Sequence, residues 1–365
     1  MAPYILYIFS PLIVACFVAL FTRSTINGSE QNKKCYLWIC GIIMAFIIGA
    51  RHYSNGSGDS GVYYDNWLFM SQVPLSMIWN TVQNIDLEPG YLYTVWGLSH
   101  IFKDPQFVFI FTGIFFTVTI CVFVARNCSN VVLGLLIFNC FGEFNFLVQG
   151  LRQGVAMCIC LWALEKCKKQ QFWSFILLIG LAMLFHASAV VFFPMYFLAR
   201  LQLKVKSVLL FIAGCTVGIL SLSIIFDVIN FLINDDYKLN EGIDDGSGVI
   251  TLSIHTLIIV AGFLFYKMDM RDDPIKNKTY ALFFYMTCLA AVTFAMRNMI
   301  SGIAERVSYY FAFAEMIIVP NSFDYLKDEK IKVILTVLVT LLFVLLALHK
   351  ATFTTLIPYN FCWEL

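Results

Sequence analysis

Apolar runs of about twenty residues recur from one end of this chain to the other, and nothing else constrains its fold as much. A bilayer core is about 30 Å thick, and a helix crosses it in roughly 20 residues. Such runs lie near 4–22, 35–50, 106–125, 131–148, 151–165, 206–226, 249–267, 279–296, 303–320 and 331–349. They predict an all-α polytopic membrane protein with about ten spanning helices. Charged residues make up 13% of the chain, too few to cover a soluble surface, which needs roughly 25%. No stretch is polar and long enough to fold separately, so residues 1–365 read as a single integral membrane domain. The first run, from Tyr4 to Phe21, lacks a basic leader and is expected to stay as a span rather than be cleaved. A net charge of +1 with no basic tract gives nucleic acid no purchase. The twelve cysteines sit mostly inside apolar runs without a CxxC pair, and there they act as small hydrophobes.

Two segments do not span simply. Residues 88–102 are apolar but only fifteen long, and residues 171–200 are interrupted at His186 and again at Pro194. Lysine and arginine favour the cytoplasmic side of spanning helices. Lys33 and Lys34 after the first span therefore place the N-terminus outside, and Lys166, Lys168, Lys169, Lys204 and Lys206 belong inside. That threading requires 88–102 to stay on the outer side, and 171–200 to enter from inside, turn near His186 and return as a re-entrant helical hairpin. Such broken helices are tolerated only where protein or water covers them. Outer loops then fall at 51–105 and 227–248, the latter read as an acidic solvated cover.

With this threading thirteen of sixteen lysines lie inside, the exceptions being Lys103, Lys238 and Lys350. Arginine does not follow. Arg51, Arg152, Arg297 and Arg306, four of the eight, fall at the outer mouths of spans. One such arginine is explained by snorkelling to phospholipid head groups. Four together suggest anion binding, because guanidinium keeps its charge and grips phosphate with a planar fork of donors. Asp59, Glu88 and Glu305 accompany them, either as counter-ions or as a base beside a reacting hydroxyl. His186, among the small residues of Phe185-His186-Ala187-Ser188-Ala189, is either a core residue bonded to a backbone carbonyl left open at the helix break, or a proton acceptor or phosphate ligand. The other histidines offer it no metal-ligand spacing, and neither metal nor cofactor is called for.

Five segments in order carry a resemblance: Gly49-Ala50-Arg51-His52-Tyr53 followed by Asp59 and Tyr63; Glu88-Pro89-Gly90-Tyr91; Asn145 with Leu151-Arg152-Gln153-Gly154-Val155-Ala156; Phe185-His186-Ala187-Ser188-Ala189; and Glu305-Arg306-Val307-Ser308-Tyr309-Tyr310-Phe311. Over residues 35–320 the chain resembles the EpsG family of Wzy-type polysaccharide polymerases. The resemblance implies a fold similar to GT-C-type glycosyltransferases. It further implies an enzyme of the bacterial cytoplasmic membrane whose site faces the periplasm or cell exterior, acting on undecaprenyl-diphosphate-linked oligosaccharides. Besides membrane lipids, a chain-length regulator is a partner this reading allows. On it, Arg152, Arg297 and Arg306 would hold a diphosphate, with Arg51 in support. His186 and Asp59 would be the leading bases, with Glu88 and Glu305 behind them. Gln153 and Tyr310 would orient sugars or neighbouring side chains. An O-antigen-type ligase would use the same residues. A transporter of the same lipid would suit basic residues in a cavity but should carry a helical repeat, and none is visible. A membrane O-acyltransferase would have no use for the arginines.

Overall fold

The structure is a computed structural model that describes residues 2–22, 25–55, 59–221, 247–269, 274–298, 303–351 and 358–364. These residues are overwhelmingly helical. Among them no strand forms, only an isolated antiparallel bridge between Arg51 and Phe361. The chain divides into two compact units, Met1–Phe193 with Leu326–Leu365, and Pro194–Tyr325.

The first unit contains α1 (Ala2–Thr22), α2 (Glu30–Gly49), α3 (Asp59–Met70), α4 (Ile78–Asn84), α5 (Pro89–Ile101) and α6 (Phe107–Asn127). It continues with α7 (Val131–Phe141), α8 (Glu143–Gln149), α9 (Leu151–Lys168) and α10 (Phe172–Met183). Local chemistry fixes several boundaries. The Ser29 side chain accepts from Asn32 N–H at the start of α2, and Asn130 does the same for Leu133 at the start of α7. Gly142, at φ 133°, separates α7 from α8 with a 57° bend, in a backbone region that other residues rarely adopt.

Side-chain bonds sort the helix ends of this unit into two groups. At one end Asn27 bonds Asn130, and Lys168 bonds Asn127 and Glu165 close to Arg126 and Trp162. At the other, Gln106 Nε2 donates to Gly49 O at 2.6 Å, Tyr7 donates to Asn139 O at 2.6 Å, and Lys350 donates to Phe141 O. The end of α6, with Arg126, and the lysine-rich end of α9 thus gather at one pole, and the start of α6 with the ends of α2 and α7 at the other.

The second unit contains α11 (Met195–Leu198), α12 (Val205–Leu220), α13 (Ser247–Asp269), α14 (Pro274–Ala295), α15 (Ile303–Ala312) and α16 (Glu315–Phe323). Its centre is stitched by Tyr280, whose hydroxyl donates to Gly262 O and meets Ser322 Oγ, each at 2.8 Å. The last helix, α17 (Glu329–Lys350), belongs to the first unit and packs on α7.

Six described helices are long and apolar enough to cross a membrane, or seven if the bent pair α7 and α8 is one span. The expected count of ten is not confirmed, for physical reasons that differ by segment. Helix α9 carries Arg152, Glu165, Lys166 and Lys168, too many charges for an apolar span. Helix α12 has 16 described residues, and the run 303–320 is divided between α15 and α16. The expected acidic loop at 227–248 lies almost wholly outside the described residues, as do Arg23 and Arg271. Exposed Trp38, Leu177 and Leu345 give the surface the character that lipid contact requires.

Both irregular segments take shapes that leave them short of a full span. Helix α5 has 13 residues, a rise of about 20 Å at 1.5 Å per residue, and it packs on α3 and α4. Beyond α10 the chain turns at Leu184–His186 and returns as a 3-10 segment, Ala187–Phe192. Phe193 thereby comes back beside Phe175, their rings 6.4 Å apart, so the segment reverses next to His186.

Candidate functional site

In the first unit, the expected site residues collect around α3, α5 and the start of α9. Pro89 occupies the first position of α5 and leaves Glu88 as its extended cap residue, with the carboxylate directed away from the helix. That carboxylate receives Nη1 of Arg152, the second residue of α9. A cation is disfavoured at a helix N-terminus, where the dipole is positive, and Glu88 offsets this. The pair is only partly buried, with 25% of the Arg152 side chain and 18% of the Glu88 side chain exposed. Gly154 lets α9 come close: an added Cβ would stand 2.8 Å from the Phe116 ring.

Two tyrosines complete the setting. The Arg152 guanidinium lies 5.9 Å from the Tyr91 ring centre, and Tyr63 meets Tyr91 edge-on at 5.8 Å. The Tyr63 phenol faces Arg152. Burial raises its pKa, and the guanidinium opposes that shift. Asp59 begins the same helix one turn earlier, half-buried and near enough to act on Tyr63 through its charge. Gln153, beside Arg152, is buried.

The start of α5 rests on the hairpin turn. Gly90 N–H donates to Leu184 O at 2.8 Å, and a Cβ on Gly90 would fall 2.6 Å from that same oxygen. Only glycine permits this approach. Two residues beyond Leu184 is His186, in extended backbone, which caps the 3-10 segment through its side chain. Its Nδ1 accepts from Ser188 N–H at 3.3 Å and lies 2.7 Å from Ser188 Oγ. A backbone N–H only donates, so Nδ1 carries the lone pair and Nε2 the proton of the neutral ring. His186 is thus bonded at the helix break, its Nδ1 to the Ser188 amide.

Arg51 is fully buried, its guanidinium 4.3 Å from the Phe109 ring centre. Nη1 reaches Ser60 Oγ at 3.2 Å and Asn55 O at 3.4 Å. Nε and Nη2 have no acceptor among the described residues. Burial pulls the group down to about 10, still far above neutral pH, so it stays a cation.

In the second unit, Arg297 is buried in a 3-10 turn after α14, 5.4 Å from the Phe294 ring centre. It lies across Gly248 of α13, where a Cβ would come within 2.6 Å of Nη1. Helix α15 exposes Arg306 and buries Tyr310, while Glu305 Oε1 accepts from Tyr309 at 3.3 Å, one turn on. Arg51, Asp59, Glu88, Arg152, Gln153 and His186 therefore lie in the first unit, and Arg297, Glu305, Arg306 and Tyr310 in the second. Among the described residues no three His, Cys, Asp or Glu side chains gather as metal ligands would.

Sequence reasoning missed a buried pair in the second unit. His255 Nδ1 of α13 meets Glu315 Oε1 of α16, with 2% and 0% of the side chains exposed. The available signal was a carboxylate next to an apolar run, which is costly without a partner. Glu143, buried at the α7–α8 bend, carried a similar signal.

A helical membrane protein with an arginine–carboxylate pair beside tyrosines of two short helices is the class these observations define. The sequence profile of the EpsG family matches residues 34–361, and the chain belongs to that family. Membership gives it a role in polysaccharide biosynthesis. No curated protein and no solved structure matches the chain.

Proposed function

We propose that the protein is a glycosyltransferase that polymerises undecaprenyl-diphosphate-linked repeat units at the outer face of the bacterial cytoplasmic membrane. The observation that carries this reading is the family match over 34–361, which includes every residue of the candidate site. In the reaction, the bond between the anomeric carbon of the growing glycan and the lipid diphosphate oxygen breaks. A new bond forms from that carbon to a terminal sugar hydroxyl of the incoming lipid-linked repeat. The hydroxyl proton passes to a base, and undecaprenyl diphosphate leaves with the bonding electrons.

Charge grows on the diphosphate as its bond breaks, and fixed guanidinium groups aimed at it stabilise that charge. Arg152 suits this role in the first unit, because Glu88 and Tyr63 hold it in place while a quarter of its side chain stays open to a ligand. Arg297 and Arg306 take the donor or acceptor diphosphate in the second unit, and Arg51 acts in support. Asp59 is the favoured base, since His186 commits Nδ1 to Ser188 and presents a donor at Nε2 instead. His186 then serves as a hydrogen-bond donor to sugar or phosphate. Glu88 and Glu305 orient neighbouring groups, as do Gln153 and Tyr310.

The test uses Arg152→Ala, Arg306→Ala and His186→Ala in intact cells. Each variant should be made at normal levels and leave single lipid-linked repeats unpolymerised. Normal chain lengths in all three would refute the assignment. Purified lipid-linked repeat separates the alternatives: a polymerase yields a ladder and free undecaprenyl diphosphate, a ligase yields one transfer, and a transporter breaks no bond.

A further inference from the structure

The segment after α17 pairs with the loop that carries Arg51. His52 N–H donates to Asn360 O and Cys362 N–H donates to Ala50 O, both at 2.9 Å, which sets Arg51 opposite Phe361. Asn55 closes the pairing with its side chain, accepting from Asn360 N–H at 3.0 Å and donating to Asn360 O. The Tyr359 hydroxyl donates to Ile47 O in the last turn of α2. Phe361 and Trp363 stack with centroids 4.6 Å apart, beside Phe46.

This pairing explains why Arg51 stays where it is. A buried guanidinium with two donor nitrogens lacking acceptors among the described residues is unfavourable, and left to itself the loop would turn it to water. The backbone on both sides of Arg51 is pinned by residues 360 and 362 instead. Arg51 in turn bonds Ser60 in the first turn of α3, the helix that carries Asp59 and that presents Tyr63 to Arg152.

We propose that residues 359–362 are a positioning element of the site, acting through Arg51 to set the start of α3. The inference rests on the polymerase reading of Asp59 and Arg152, and it adds a segment to which no role has been given. It is consistent with the family match extending to residue 361, past the last helix.

The geometry is tested with Ala50→Cys, which faces the native Cys362. Opposed residues of an antiparallel pair have Cα atoms about 4.5–5.5 Å apart, within the roughly 4.4–6.8 Å a disulfide spans. Oxidation of the full-length protein in membranes should link residues 50 and 362, detected by mass spectrometry and absent from Ala50→Cys with Cys362→Ser. Function is tested in proteoliposomes with purified lipid-linked repeat. Deleting 358–364 should lower kcat about tenfold and change KM by less than about threefold, the pattern of a displaced base rather than of a lost substrate contact. In an Arg51→Ala background the same deletion should cost nothing further, because residues acting as one unit are not additive.

A milder variant covers a deletion that fails to fold. Asn55→Ala removes both side-chain bonds to Asn360 and should lower kcat about threefold. The 50–362 disulfide should restore it when oxidised and lose that rescue with reductant. Undiminished activity of the deletion, or additive losses with Arg51→Ala, overturns the inference and leaves the polymerase reading intact. If the intact protein makes no polymer from any lipid-linked repeat, the polymerase reading fails and the inference falls with it.

Discussion

Of the described carboxylates that hold a basic partner, two do so in opposite settings. Glu88 binds Arg152 in the first unit where a quarter of the arginine side chain is open, whereas Glu315 binds His255 in the second with both side chains enclosed. Enclosed pairs are costly to assemble and costlier to break, because removing one member strands the other without water. Partly open pairs contribute little to stability but keep donors available. The first arrangement suits a ligand, and the second suits the joining of α13 to α16.

The comparison breaks most sharply at Arg152. Arg152→Ala should lower polymerisation about 1000-fold, the order seen when one donor to developing charge is lost, with little change in heat stability of the solubilised protein. Arg152→Lys should recover only a small part, since a point charge lacks the planar fork. Chain-length analysis and a thermal-inactivation curve on the same preparation check both.

Glu315→Ala should do the reverse. It should destabilise the protein by about 3 kcal/mol, as breaking a buried pair does, while Glu315→Gln, which keeps a bond to His255, should cost about 1 kcal/mol. Loss of polymer from Glu315→Gln at unchanged stability would move this pair into the catalytic machinery and end the contrast.

Two smaller effects sharpen the first region. Gly90→Ala forces a methyl group against Leu184 O, and overpacking of this kind costs about 2 kcal/mol. It should lift α5 off the hairpin turn and reduce polymerisation, with Gly97→Ala on the same helix, where a Cβ meets open space, nearly silent. The least effect concerns alkaline pH. Burial raises the Tyr63 pKa in the folded protein, so folded Tyr63 stays neutral where an unfolded tyrosine has begun to ionise. Its contribution is full below about pH 10 and falls as pH rises past that value. Tyr63→Phe should therefore flatten part of the stability loss above pH 10, measured by thermal inactivation across pH.

The sequence by itself determined the helical membrane character, because apolar runs of spanning length have no other stable arrangement in lipid. It also identified the two segments that fall short of a span, since fifteen residues are too few for 88–102, and His186 with Pro194 interrupt 171–200. The arginine asymmetry was legible because charge patterning is local along the chain. The number of spans was not legible. Hydropathy joins α15 to α16 across Phe313–Ala314, and it accepts α9 despite its charges, because a window average carries no information on where a helix stops.

Partnership was decided only by tertiary structure. Nothing within four residues of Arg152 announces Glu88, sixty-four positions away, nor does Arg51 announce Phe361. His255 and Glu315 each look like an isolated error of polarity until the helices pack. A polar group in an apolar fold must be satisfied by whatever the packing brings to it, and packing joins residues distant in the chain. The sequence therefore names the charged residues, and the fold alone decides which are enclosed in pairs and which stay partly open.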